Sequence, residues 1–129
     1  MQQLIKALFK GKVIFSIAVG VTVFIGFLSL MKSPEIAIKI SHSDKIFHAI
    51  AYFILTLAWL LSYPASGQKK KIKHTIGVAC VFYGILIEVL QVTFTTYRTA
   101  SALDVLANSV GVFVALLIFN SVYKKINAI

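Results

Sequence analysis

The side chains that could do chemistry are concentrated in one stretch of the chain, which reads Glu88-x2-Gln91-x6-Arg98-x5-Asp104-x3-Asn108. The chain contains only four acidic residues, and two of them lie in this stretch. Glu88 stands inside a strongly apolar segment, where a carboxylate is unfavourable unless a partner pairs with it or a reaction uses it. We therefore expect this group of residues to be central to function.

Helical spacing arranges the polar residues in three stripes, because residues three or four positions apart share one face of a helix. The stripes are Asp44, His48 and Tyr52; Gly84, Glu88 and Gln91; and Asp104, Asn108, Gly111 and Ala115. Polar residues in membrane helices face the interior of a bundle or a wet cavity rather than lipid. The three stripes are therefore expected to face one another.

The composition indicates an integral membrane protein. Of the 129 residues, 59% are hydrophobic and only 13% are charged, and the mean hydropathy is +0.90. A soluble domain of this size needs more polar surface. The net charge of +9 does not indicate nucleic acid, because the lysines lie in the gaps between apolar blocks instead of on one water-facing surface. We expect the lipid bilayer, and no nucleic acid, as a partner.

Four apolar blocks each approach the roughly 20 residues that a helix needs to cross a bilayer. They cover residues 13–31, 46–63, 75–94 and 103–122, and the linkers between them are too short for a second domain. The predicted fold class is all-α, an integral membrane four-helix bundle that forms a single domain over residues 1–129. The lone cysteine, Cys80, lies within the third block, which excludes an intrachain disulfide and a cysteine-based zinc site.

The distribution of basic residues predicts the orientation of the bundle. Nine of them lie before the first block, between the second and third, or after the fourth, whereas four lie on the opposite side. Because basic residues are enriched in cytoplasmic segments, both termini are expected to be cytoplasmic. The three stripes then meet at the outer membrane–water boundary. Glu88 lies about 13 residues into the third block, roughly 20 Å along the helix and in the outer half of the bilayer.

The residue types in this group allow acid–base chemistry and the binding of an anion. Glu88 and His48 are the candidate acid and base, because an imidazole beside a carboxylate can transfer protons near neutral pH. Lys45 and Arg98 would hold an anionic group, and arginine can do so through two parallel hydrogen bonds. The residues expected to bind or to orient these groups are Asp44, Tyr52, Gln91, Asp104 and Asn108.

Structural roles compete with each of these assignments. Asp44 and Asp104 each follow a serine by three positions, which is the spacing of a helix-capping box. Glu88 could simply pair with Lys45 or Arg98. The histidine and the acids could bind a metal by ligand type, but the nearby cations already neutralise the acids. Neither a metal nor another cofactor is therefore expected.

The ordered set of motifs resembles the VanZ-like family. The motifs are Asp44-Lys45-x2-His48-x3-Tyr52, Gly84-x3-Glu88-x2-Gln91-x6-Arg98 and Asp104-x3-Asn108-x2-Gly111, and the similarity covers about residues 40–120. The resemblance implies a small multi-pass protein of the bacterial inner (cytoplasmic) membrane. The namesake of the family is associated with resistance to the glycopeptide antibiotic teicoplanin, so the resemblance also implies a role in the cell envelope.

Three functional hypotheses remain open on this basis. In the first, an outward-facing polar pocket binds or modifies an anionic lipid or a lipid-linked cell-wall intermediate. No nucleophile lies near the polar residues, so whether the protein is an enzyme stays open. In the second, the protein is a non-enzymatic accessory or scaffold, and the polar residues form a structural ion-pair network. The third is a transporter, which would require an oligomer because four spans are few.

Overall fold

The chain forms four α-helices in the computed structural model, which describes residues 3, 11–30, 43–62, 70–94 and 102–128. In chain order the helices are α1 (Gly11–Leu30), α2 (Ser43–Leu61), α3 (Lys70–Phe94) and α4 (Ala102–Ala128). No strand occurs within these ranges, and the predicted all-α class is confirmed. Helix α3 begins before its predicted apolar block and α4 ends after its own block, because both extensions contain lysine, a good helix former.

Three of the four helices are long and apolar enough to cross a bilayer. Their apolar sections are Lys12–Leu30 in α1, Lys71–Thr93 in α3 and Ala102–Lys125 in α4. The apolar section of α2, Lys45–Leu61, is shorter and extends about 25 Å, against a hydrocarbon thickness of about 30 Å. Length and composition thus support three of the four predicted spans. The fourth span, membrane insertion and the side of the termini stay predictions.

Large apolar side chains cover the outside of the bundle. Val23, Phe24 and Phe27 of α1 are each 60–65% exposed, and α4 presents Phe113 and Leu117 in the same way. A soluble monomer rarely leaves so many large apolar side chains in water, whereas a bilayer solvates them. This surface agrees with the composition and indicates a membrane protein.

Helix α2 is the centre of the packing, because it contacts α1, α3 and α4, and its pairing with α4 is the most extensive in the described ranges. Where α2 and α4 cross, Gly111 lies against the backbone of α2. A Cβ at Gly111 would overlap the carbonyl of Ala49 and would lie 3.0 Å from the backbone nitrogen of Phe53. Only glycine fits here, because small residues are what allow membrane helices to approach this closely.

Helix α1 is attached to the bundle by hydrogen bonds from α2 and α3. Trp59 Nε1 of α2 donates to Thr22 Oγ1 at 2.9 Å, and the Tyr83 hydroxyl of α3 donates to the backbone oxygen of Thr22 at 2.6 Å. Near the other end of α1, Gln91 Nε2 donates to the backbone oxygen of Ser29 at 2.7 Å. Hydrogen bonds are strong in a low-dielectric interior, so these contacts fix how α1 lies along its neighbours.

Two apolar clusters fill the inside of the bundle. One contains Ile25, Tyr52, Leu55, Cys80 and Val112, and the other contains Ile14, Leu60, Leu61 and Phe119. Cys80 is buried and serves as a small core side chain. The second cluster joins the start of α1 to the ends of α2 and α4. The residues that could do chemistry lie towards the opposite end of the bundle.

Candidate functional site

An ion pair joins the first turns of α2 and α4. Lys45 Nζ lies 2.5 Å from Asp104 Oδ1, and the two side chains are 27% and 13% exposed. Asp104 stands in the first turn of α4, where the positive end of the helix dipole favours a negative charge. Both residues belong to the predicted site, and the fold brings them together although 59 positions separate them in the sequence.

His48, Glu88 and Asp104 converge beside this ion pair. An imidazole nitrogen and one oxygen from each carboxylate all lie within 4.8 Å of one another. The three residues come from α2, α3 and α4, and Glu88 is only 5% exposed. The expected convergence of three polar stripes is confirmed for these members. Together with Lys45, these three residues form what we call the polar cluster.

Tyr52 and Asn108 lie one helical turn deeper than the polar cluster, and both are buried. They pack against Gly84, where an added Cβ would be 2.9 Å from Asn108 Nδ2 and 3.3 Å from Tyr52 Cε2. The absence of a side chain at Gly84, one turn before Glu88, therefore makes room for two polar groups. The Oδ1 atom of Asn108 is buried and accepts no hydrogen bond from the residues that the structure describes.

Gln91 is one of the predicted site residues, and it also holds two helices of the bundle together. It is buried, and its amide nitrogen donates a hydrogen bond to the backbone oxygen of Ser29. Ser29 is absent from the predicted site residues, since no sequence signal marks a backbone carbonyl as an acceptor. Gln91 thus links α3 to α1, and a role for it in ligand binding stays a prediction.

Two predicted site residues are not placed by the structure. Arg98 lies outside the described residues, as do Ser41 and Ser101, the serines of the two predicted capping boxes. Asp44 stands in the first turn of α2, but its side chain is outside the described part. The roles assigned to Arg98 and Asp44 therefore stay predictions.

The polar cluster contains two carboxylates, one ammonium group and one imidazole. With both acids ionised and His48 neutral, two negative charges against one positive charge leave a net charge of −1. This set of groups can transfer a proton between His48 and Glu88 or coordinate a cation. It can hold an anion only if further positive charge is supplied. Cys80 is no candidate nucleophile for this chemistry, because it lies about two turns from Glu88 and packs in the apolar core.

An apolar cavity of about 340 Å³ lies among α1, α2 and α3, away from the polar cluster. Its lining consists of Thr22, Leu55, Trp59, Ile76, Ala79, Cys80 and Tyr83. None of the four cluster residues contributes to it. The cavity suits an apolar group and has no charged side chain in its lining, so we treat it as separate from the candidate site.

Comparison with known proteins bears out the resemblance seen in the motifs. A family model described as VanZ/LLP1 matches residues 8–123, which include α1, α2, α3 and most of α4. An uncharacterized protein of the fission yeast Schizosaccharomyces pombe is 33% identical over 116 residues. This match covers 90% of the chain and 65% of the yeast protein, so the chain spans about two thirds of that relative's length. No solved structure matches.

Proposed function

This chain belongs to the VanZ/LLP1 family, and from that premise we propose that it is a multi-pass membrane protein whose polar cluster binds the phosphate-bearing headgroup of an anionic lipid. The observation that supports this most is the convergence of four charged or ionisable side chains from three helices of an otherwise apolar bundle. Charged groups inside a membrane protein are retained for pairing or for function. Binding is the activity proposed, with or without chemical modification of the lipid.

The proposed location is the cytoplasmic membrane, with both termini on the cytoplasmic side and α2 as a fourth, centrally packed span. Apolar side chains on the outside of α1 and α4 support insertion, and the distribution of lysines supports the orientation. In this arrangement Lys45 and Asp104, in the first turns of their helices, lie at the outer boundary of the bilayer. That is the depth at which the headgroups of the outer leaflet are found.

The yeast relative favours a phospholipid over a cell-wall precursor as the ligand. Fungal cell walls contain no peptidoglycan, whereas both fungal and bacterial membranes contain anionic glycerophospholipids. A ligand common to this chain and to its fission yeast relative is therefore more simply a phospholipid headgroup. A lipid-linked peptidoglycan intermediate, and with it teicoplanin resistance, would be a use of the same site confined to bacterial members.

Lys45 is the described residue best placed to bind the headgroup. Its side chain is partly exposed, so a phosphate can approach it without dismantling the bundle. Arg98, which the sequence places at the same boundary, would supply a second positive charge and two further hydrogen-bond donors. His48 and Glu88 would then be positioned to move a proton to or from the bound lipid.

Lipid binding to the purified protein tests this proposal. We expect native mass spectrometry in a neutral detergent to show a preference for phosphatidylglycerol over phosphatidylcholine, and Lys45→Gln to weaken phosphatidylglycerol binding about tenfold. Lys73→Gln is the matched control. Lys73 is also a partly buried lysine, and it donates a hydrogen bond to Asn120 Oδ1 at 3.1 Å. It lies near the start of α3, far from Glu88 and the polar cluster. Equal binding by wild type and Lys45→Gln, or an equal loss in the control, would refute the proposed site.

The scaffold hypothesis is the second candidate, because the partly buried Tyr83 and the buried Gln91 both donate hydrogen bonds that hold helices together here. Glu88→Gln separates the two, since it removes the charge and retains the size of the side chain. If the polar cluster binds a ligand, the variant keeps the wild-type melting temperature in detergent. Its lipid preference changes, because one of the two carboxylates is neutralised, and any teicoplanin tolerance conferred on a Gram-positive host is lost. If the cluster is a scaffold, the variant melts early.

A further inference from the structure

Three side chains of the polar cluster have the geometry of a metal site. One ligand atom each from His48, Glu88 and Asp104 lies within 4.8 Å of the other two. Donor atoms that bind a single ion at about 2.0–2.2 Å are roughly 3–4.4 Å apart. Small changes in side-chain rotamers would therefore bring the three ligand atoms to the distances that one ion requires. The residues belong to three packed helices, which would hold the donors in place.

The side-chain oxygen of Asn108, which lacks a hydrogen-bond donor within the described ranges, is a second observation and is independent of the coordination geometry. Asn108 is 2% exposed, and its Oδ1 accepts no hydrogen bond within the described ranges. A buried acceptor without a donor is unfavourable. Asn108 lies one turn after Asp104 on α4, and its amide packs beside Gly84, one turn before Glu88. An amide oxygen is a good donor for hard cations, so an ion at the cluster would lie about one helical turn from a residue whose oxygen lacks a donor.

The charge of the polar cluster also favours a cation. Its two carboxylates and one ammonium leave a net charge of −1, which opposes the binding of a phosphate. A divalent ion changes that net charge to +1. Lys45 does not compete for the whole of Asp104, because a carboxylate can accept a hydrogen bond through one oxygen and bind a metal through the other. This charge argument rests on the proposed lipid-binding function, whereas the coordination geometry does not.

We propose that His48, Glu88 and Asp104 bind a divalent transition-metal ion, with Asn108 Oδ1 as a nearby oxygen donor. One imidazole and two carboxylates suit Mn²⁺ or Zn²⁺, because the imidazole disfavours Mg²⁺ and Ca²⁺ and no thiolate is present in the set. The bound ion gives the site the positive charge that a phosphate headgroup requires. This proposal replaces the sequence-based expectation that the site is metal-free.

Metal binding by the full chain, purified in detergent, stripped with a chelator and freed of any affinity tag, tests the proposal. We expect about one Zn²⁺ per chain by competition with a chromophoric chelator, and a bound Mn²⁺ signal by electron paramagnetic resonance. His48→Gln and Glu88→Gln should each lower the affinity at least about tenfold. His74→Gln is the control, since His74 is an exposed histidine of α3 that lies outside the cluster. Failure to bind, or equal loss in the control, would overturn the metal site.

Asn108→Asp provides a further test, in which metal binding predicts a gain in affinity and stability instead of a loss. If a metal is present, the added carboxylate raises Zn²⁺ affinity and the bound ion raises the melting temperature of the variant. If no metal binds, the same change only buries another negative charge and lowers the melting temperature with or without Zn²⁺. The two proposals fail separately. A protein that binds no metal but prefers phosphatidylglycerol supports lipid binding and overturns the metal site, whereas one that binds metal through the cluster but shows no lipid preference supports the metal site and overturns lipid binding.

Discussion

Gly111 of α4 lies against the backbone carbonyl of Ala49 in α2, so closely that no side chain can be accommodated between the two helices. Ala49 directly follows His48, and Gly111 lies two turns beyond Asp104 on the face that carries Asn108. The contact therefore sets how far apart the polar faces of α2 and α4 can be. The ion pair between Lys45 and Asp104, and the convergence at His48, depend on this close approach.

Gly111→Val is expected to destabilise the bundle by about 3 kcal/mol, because the new side chain must push apart two backbones. Thermal unfolding in detergent measures the effect. Gly20→Val is the matched control, since Gly20 is also a helical glycine and no atom lies within 4 Å of a Cβ placed there. Both changes carry the same helix-propensity term, so similar melting temperatures for the two variants would show that the helices do not approach as described.

The Lys45–Asp104 pair is expected to show a coupling free energy of about 1 kcal/mol in a double-mutant cycle of Lys45→Met and Asp104→Asn. Both side chains are partly exposed, so the interaction is weaker than that of a fully buried pair. The double variant should be destabilised by less than the sum of the two single variants. Each single variant leaves one charge without its partner, whereas the double variant removes both charges. Additive changes in the free energy of unfolding would contradict a direct ion pair.

Tyr83→Phe is expected to lower the free energy of unfolding by about 1 kcal/mol, because it removes the hydrogen bond to the Thr22 backbone oxygen. Lipid and metal binding should remain at wild-type levels, since this contact lies between α1 and α3. Tyr123→Phe serves as the comparison: it preserves the ring that stacks on Phe119 at 5.8 Å and should change stability by less than about 0.5 kcal/mol. A loss of ligand binding in Tyr83→Phe would place α1 in the functional site.

The orientation of α4 can be measured by labelling single cysteines with a membrane-impermeant thiol reagent. In a Cys80→Ala background, Ala102→Cys should react in intact cells and Lys125→Cys only after permeabilisation, because both positions are exposed and the basic end is predicted to be cytoplasmic. The Cys80→Ala protein alone gives the background reaction. The reverse pattern would mean that the bundle has the opposite orientation. Labelling of both positions from one side would mean that α4 does not span the membrane.

Much of the architecture follows from local properties of the sequence. The four apolar blocks correspond to the four helices, because hydropathy and helical periodicity are read over neighbouring residues. The same periodicity placed His48, Glu88 and Asp104 on inward-facing stripes. The unusual position of Glu88 in an apolar block marked the place where three helices bring polar side chains together. Helix ends were predicted less well, since α3 begins before its predicted block and α4 ends after its predicted block, and both extensions contain lysines.

The sequence by itself determined the helices, the family and the set of polar residues that share inward faces. Tertiary structure alone decided the partners: Lys45 with Asp104, Gln91 with Ser29, and the backbone of Ala49 with Gly111. These contacts join residues 59 or more positions apart, and they depend on the rotation and depth of each helix relative to its neighbours. Hydropathy does not encode that rotation or depth, because they are set by how closely the backbones pack, and here the packing is governed by glycine.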